Sequence, residues 1–132
     1  MKLLQPAEWL SPRGYANGIA ARGTLVFVGG QIGWDGQQQF ASDDFIEQTR
    51  VALQNIVAVL REAQAGPEHM VRMTWYITDR DEYVARLKEL GAVYRDVMGR
   101  NFPTMSCVEV SRLVEPRAKI EIEVTAVIPD QL

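Results

Sequence analysis

One stretch near the end of the chain limits the fold more than any other. From Ile120 to Ala126, Ile120, Ile122, Val124 and Ala126 alternate with Glu121, Glu123 and Thr125, the period-two pattern of a strand with one apolar and one polar face. Upstream, Pro103 to Leu113 reads Pro-Thr-Met-Ser-Cys-Val-Glu-Val-Ser-Arg-Leu, and Val114-Glu115-Pro116-Arg117 supplies a break. Proline cannot donate to a ladder, so the two arms are expected to form a hairpin spanning Pro103 to Ile128.

The preceding chain alternates strands and helices. Residues 5–23 are rich in Pro and Gly and hold Trp9, Arg13 and Tyr15, which predicts an irregular lead-in with a short strand near Tyr15. Thr24 to Gln31 is a strand whose Leu25, Val26, Phe27 and Val28 are apolar on both parities, so both of its faces call for burial. Gly29-Gly30 would let another group approach the backbone closely, and Trp34-Asp35-Gly36 makes a turn. Ser42-Asp43-Asp44 caps a long helix carrying Phe45, Thr49, Leu53, Ile56, Leu60 and Ala63 at helical spacing, with Gly66-Pro67 as its stop. Met70 to Thr78 is a strand with Val71, Met73, Trp75 and Ile77 on one face. A second helix opens at Asp79 to Glu82, contains Gly91 and ends at Gly99.

The fold class expected from this order is α+β, one domain over residues 1–132, with a mixed β-sheet and two helices packed on one face. Each strand-helix-strand passage should be a right-handed crossover joining parallel strands. Met105, Cys107 and Val127 share the parity opposite Ile120, so the face without helices is predicted to carry apolar groups and to be buried against copies of the same chain.

A length of 132 residues, 47% hydrophobic and 23% charged, suits one globular core. The net charge of −3, with charges scattered, argues against a nucleic-acid partner. The lone cysteine, Cys107, cannot staple the domain, so the cytoplasm is the expected compartment. Neither a signal peptide nor a membrane span is expected from the hydropathy pattern. His69 stands alone after Gly66-Pro67-Glu68 and is expected to be a solvated loop residue rather than a metal ligand.

Three segments together resemble the YjgF/RidA family, the reactive intermediate deaminases: Val28-Gly29-Gly30-Gln31-Ile32, Asn101 to Val110 with its Cys-Val-Glu-Val, and the closing Lys119-Ile120-Glu121-Ile122-Glu123. The resemblance runs from about Tyr15 to Ile128. It implies a chorismate-mutase-like fold, a homotrimer with a barrel-like core and small-molecule pockets between subunits. It also implies hydrolysis of an enamine or imine metabolite to a keto acid and ammonia, without a cofactor or metal. By the same resemblance Tyr15, Gly30, Gln31 and Cys107 line the pocket and Glu121 positions the attacking water. The arginine that would hold a substrate carboxylate is replaced by Met105, the serine usual before Gly-Gln by Gly29, and an asparagine of the second helix by Gly91.

The residues themselves leave alternatives open. A carboxylate in a partly buried cleft wants the planar, permanently charged fork of Arg, which a thioether cannot supply. Met105 is then either an apolar lining residue or part of the recognition of a different ligand, and Arg13 is a candidate replacement cation. Cys107 reads as a small buried hydrophobe, since no neighbour in the sequence offers a base. Glu121 is either a solvated carboxylate or a general base that orients water. Tyr15 is either a mobile flap or a half-buried anchor, and Trp34, in a loop after the Gly-Gln segment, is a candidate cover for an aromatic or extended ligand. Three functions follow: a deaminase with a substrate other than 2-aminoacrylate, a non-catalytic metabolite-binding or regulatory trimer using the same cleft, and a ribonuclease, a label that some family members carry and that an acidic chain disfavours.

Overall fold

The computed structural model describes residues 1–130. Two short strands, β1 (Lys2–Leu3) and β2 (Ile19–Ala20), pair antiparallel across the lead-in. Near Tyr15 the expected strand is a single bridge, in which Ala16 meets Thr104 and its N–H donates to Pro103 O at 3.0 Å.

Helix α1 (Phe45–Glu62) begins where its capping residues require. The Asp44 carboxylate accepts the Glu47 N–H at 3.2 Å, and Ser42 Oγ accepts the Asp44 N–H at 2.9 Å. Phe45, Thr49, Leu53, Ile56 and Leu60 are all buried, as their spacing predicts. The stop comes earlier than Gly66-Pro67, because Gln64 takes φ 55° and the Leu60 carbonyl accepts from both Ala63 and Ala65. Pro67–His69 then forms a 3₁₀ turn. His69 is not a solvated loop residue, since its Nδ1 accepts the Gly66 N–H at 3.0 Å and closes this turn.

The expected second helix is two helices, α2 (Arg80–Ala85) and α3 (Leu87–Met98). Arg86 leaves helical geometry at the junction, with φ −113° and ψ 23°. Its guanidinium there reaches Asp44 at 2.8 Å, Glu82 at 3.3 Å and Glu89 at 2.9 Å, tying the junction to the cap of α1. Gly91 lies inside α3, and Gly99, at φ 67°, ends it.

Four strands form the main sheet: β3 (Gly23–Ile32), β4 (Met70–Ile77), β5 (Thr104–Glu109) and β6 (Ile120–Pro129), in the order β3-β6-β4-β5. Strands β4 and β5 are parallel neighbours, as a helical crossover requires. Strand β6 runs antiparallel to β3 and β4 and lies between them, so β5 and β6 are not the expected hairpin. Inserted there, β6 has both ladder edges paired. It also sets Val124 opposite Val28 and Met73, and Ile122 opposite Trp75, so that its alternating apolar face is wholly buried. The buried Gln48 side chain of α1 secures the entry, donating to Ser42 O (3.1 Å) and Arg117 O (3.0 Å) and accepting from Lys119 N (2.9 Å).

Helices α1 and α3 cover one sheet face, where Leu53, Ile56, Leu60, Leu90 and Val93 pack on Met73, Trp75, Ile120 and Ile122. Strand β3 is two-sided as expected: Val26 and Val28 pack into the core, while Leu25 and Phe27 on the open face are 56% and 71% exposed. Met105 and Cys107, by contrast, do not face away from Ile120. Met73 pairs with Met105, and Trp75 pairs with both Cys107 and Ile122, which puts all of them on the helix side. Parity compares positions within one strand, and only the register between strands decides which parities share a face. Among the described residues no helix is long and apolar enough to cross a membrane.

Candidate functional site

Between the lead-in, α2–α3 and the start of β5 lies a cleft of ≈ 430 Å³. Its floor is set by local bonds. The Ala16–Pro103 contact holds the lead-in against β5, placing Arg13 and Tyr15 on one wall. Thr104 Oγ1 donates to Val71 O at 2.6 Å, fixing the start of β5 so that Met105 lines the cleft. On the opposite wall Phe102 stacks on Tyr94 with ring centroids 5.4 Å apart, and the Tyr94 hydroxyl donates to Asn101 O. Burial pushes the Tyr94 phenol well above the ordinary tyrosine range.

Trp75 lies at the base of this cleft, edge-on to Tyr83, with its indole Nε1 buried and without a hydrogen-bond partner among the described residues. The Cys107 thiol lies beside the phenol of Tyr83, which also lines the cleft. Burial, reinforced by Cys107, pushes Tyr83 up to about 12, and burial raises the Cys107 thiol as well. A thiol held protonated is a poor nucleophile, and Cys107, half-buried, packs against the apolar core.

Gly30, Gln31 and Glu121 form a second group around β3 and β6. At Gly30 an added Cβ would lie 2.3 Å from Glu121 Oε2, so the carboxylate lies directly on this glycine's backbone. Gln31 Nε2 donates to Gly29 O at 3.2 Å. The two carboxylates of β6 differ. Glu123 accepts from Tyr76 Oη at 2.8 Å, and that bond raises the Tyr76 phenol. Glu121 is half-buried and makes no hydrogen bond or ion pair among the described residues. A free carboxylate in partial shelter can take a proton from a bound water.

The six residues singled out in the sequence therefore fall into two groups. Met105 and Cys107 lie on the helix side of β5 and Tyr15 lines the cleft with Met105, whereas Glu121 pairs with Tyr76 of β4 in the register of the open face. One copy of the chain does not bring them together. Arg13 lines the same cleft as Tyr15 and Met105. Trp34 tilts against Phe40 at 5.8 Å in its own loop.

Sequence reasoning missed Arg95, Trp75 Nε1 and Tyr83 as cleft groups. For Arg95 a signal was present: it follows Gly91 by four residues, and positions four apart share a helix face.

The sequence profile described as endoribonuclease L-PSP matches residues 8–128. Among curated proteins, the RutC family protein slr0709 of Synechocystis is 36% identical over 133 residues, covering 98% of each chain. TdcF of Escherichia coli strain K12, named as a candidate reactive intermediate deaminase, is 34% identical over 113 residues, covering 86% of this chain and 85% of its own. Among solved structures, YyfB of the conserved Rid protein family from Yersinia pestis matches with TM-score 0.84 at 26% identity, over 96% of this chain and 98% of that one. Escherichia coli TdcF with bound serine matches with TM-score 0.68 at 29% identity, over 97% and 99%.

Proposed function

The chain belongs to the endoribonuclease L-PSP family, also called YjgF/RidA, and on that premise we propose that it hydrolyses an enamine or imine acid other than 2-aminoacrylate in a site shared between copies of the chain. The observation that carries this reading is Glu121: a half-buried carboxylate lying on the Gly30 backbone and unpaired, while its strand neighbour Glu123 is occupied. The bound serine in TdcF supports a small-molecule ligand of amino-acid type.

In this reading the enamine first takes a proton from solvent at carbon and becomes the iminium. Glu121 then accepts a proton from water as the water oxygen bonds to the C=N carbon, giving a neutral carbinolamine. Glu121 returns that proton to nitrogen, the C–N bond breaks, and ammonia leaves as the hydroxyl gives its proton back to Glu121 and collapses to the carbonyl, the carboxyl then returning one proton to solvent. Atoms balance as imine plus water giving 2-oxo acid plus ammonia. Tyr15 closes the cleft, and Gly30 with Gln31 offers backbone groups beside the water.

The assembly follows from the two faces. The cleft with Met105 and the face with Glu121 are opposite surfaces, so a complete site sets one copy's cleft against the next copy's open face. Such a head-to-tail contact is heterologous and closes into a ring. A homotrimer fits the family resemblance, and exposed Leu25 and Phe27 supply apolar area for it. A net charge of −3 weighs against an RNA substrate.

Imino acids generated in place by an amino-acid oxidase test the reading. The natural protein should accelerate ammonia release over the uncatalysed rate and Glu121→Gln should abolish the acceleration with ligand binding kept. Full turnover in Glu121→Gln would reject the assigned role. The runner-up, a metabolite-binding trimer without turnover, predicts binding with no acceleration in either protein.

A further inference from the structure

The cleft has its polarity arranged in one direction. Met105, Trp75, Leu90 and Phe102 line it with apolar or aromatic groups, whereas Arg13 and Arg95 line it as exposed cations. Neither arginine has an ion-pair partner within 4.0 Å among the described residues, in contrast to Arg86 and Arg117. An Arg in a helix normally folds over the turn before it. Here Arg95 finds Gly91 at that position, and its Nη1 lies 3.2 Å from where a Gly91 side chain would begin. The missing side chain makes the room that the guanidinium uses.

Resting on the reading of this cleft as the substrate site, we infer that Arg95, seated over Gly91 and seconded by Arg13, holds the substrate carboxylate at the rim, and that the substrate is an imino or enamino acid with a bulky apolar side chain. The guanidinium fork is fully charged and matches a carboxylate in two-point geometry. A ligand so anchored sends its side chain inward, onto Met105 and the aromatic walls. An aromatic or branched chain fills that volume, while a methyl group leaves it wet.

The test uses stable 2-oxo acids, the product class, with affinities read by NMR titration on the assembled protein. Phenylpyruvate should bind at least about tenfold tighter than pyruvate, the advantage of burying a ring. Arg95→Gln should weaken phenylpyruvate by about tenfold or more, the loss of a charge-assisted bond, and leave the neutral ketone phenylacetone unchanged. Arg95→Lys should recover part of that loss. Gly91→Ala should raise the melting temperature, since alanine favours the helix, and yet weaken phenylpyruvate by displacing the guanidinium. Equal binding of pyruvate and phenylpyruvate, or an Arg95→Gln variant with full affinity for the acid, would overturn the inference.

Ammonia release measured beside the titrations separates the two claims. Arg95-dependent binding of apolar acids with no release in any protein upholds this assignment and sinks the deaminase. Release from a natural protein whose affinities and rates ignore Arg95→Gln does the reverse.

Discussion

Replacing Gly30 by alanine isolates the role of Glu121 without touching its carboxylate. The new Cβ would stand 2.3 Å from Glu121 Oε2, 2.7 Å from Cδ and 2.9 Å from Cγ. Ordinary contact begins near 3.4 Å, so the carboxylate must retreat by about 1 Å, by roughly the misplacement that costs a positioned catalytic group ~100-fold. Stability should hardly change. Gly30 is not among the glycines with positive φ, so alanine fits the backbone and restricts the unfolded chain. The displaced atoms belong to the free end of a long side chain, which leaves a net change within about 1 kcal/mol. Ammonia release and thermal unfolding, measured on the same preparation, should therefore part company: turnover down ~100-fold, melting temperature within about 4 °C. An active Gly30→Ala protein with natural stability would refute the claim that Glu121 works from its place on this backbone.

Three further perturbations probe the fold that positions the site. Gln48→Leu removes an amide that satisfies Ser42 O, Arg117 O and Lys119 N; urea unfolding should show a loss of about 2 kcal/mol, because the part-buried Lys119 N–H is left unpaired. Asp44→Asn keeps an oxygen to cap α1 but loses the charge facing Arg86. The hydrogen bond from Arg86 chiefly holds Asp44 below its ordinary 3.8, so its contribution is complete above that pH and fades as pH falls through the lower folded value. The stability gap between natural protein and variant should be open at pH 7 and close in acid; a gap constant from pH 7 to pH 2 would contradict the pairing. Phe27→Asp places a charge on the exposed apolar position of β3, and sedimentation should show the assembly dissociating at micromolar concentration.

Much of this architecture was legible because it rests on local signals. The cap at Asp44, the burial stripe of α1, the two-sided Leu25–Val28 strand and the alternation of Ile120–Ala126 each follow from side chains a few residues apart. What escaped depends on partners distant in the chain. By sequence, strand β6 reads as the second arm of a hairpin because it follows β5, although the connection over residues 110–119 is long for one. Its true place is decided by non-local pairings, Val124 with Val28 and Met73. The same register turned Met105 and Cys107 to the helix side. The break at Arg86 was hidden for a similar reason, since one of its carboxylate partners, Asp44, lies far upstream.

In the candidate site the sequence pointed to Tyr15, Gly30, Gln31, Met105, Cys107 and Glu121, and sheet geometry divided them between two faces. That division makes subunit complementation the most direct test. Glu121→Gln chains, lacking the carboxylate proposed to activate water, and Met105→Asp chains, with a charge in the cleft, should each be inactive in ammonia release. Mixed and reassembled at equal amounts, they should regain about one quarter of the natural rate, because random rings unite an intact cleft with an intact Glu121 at one interface in about four. Mixed rings that sediment as one species and release no ammonia would contradict a site shared between copies of this chain.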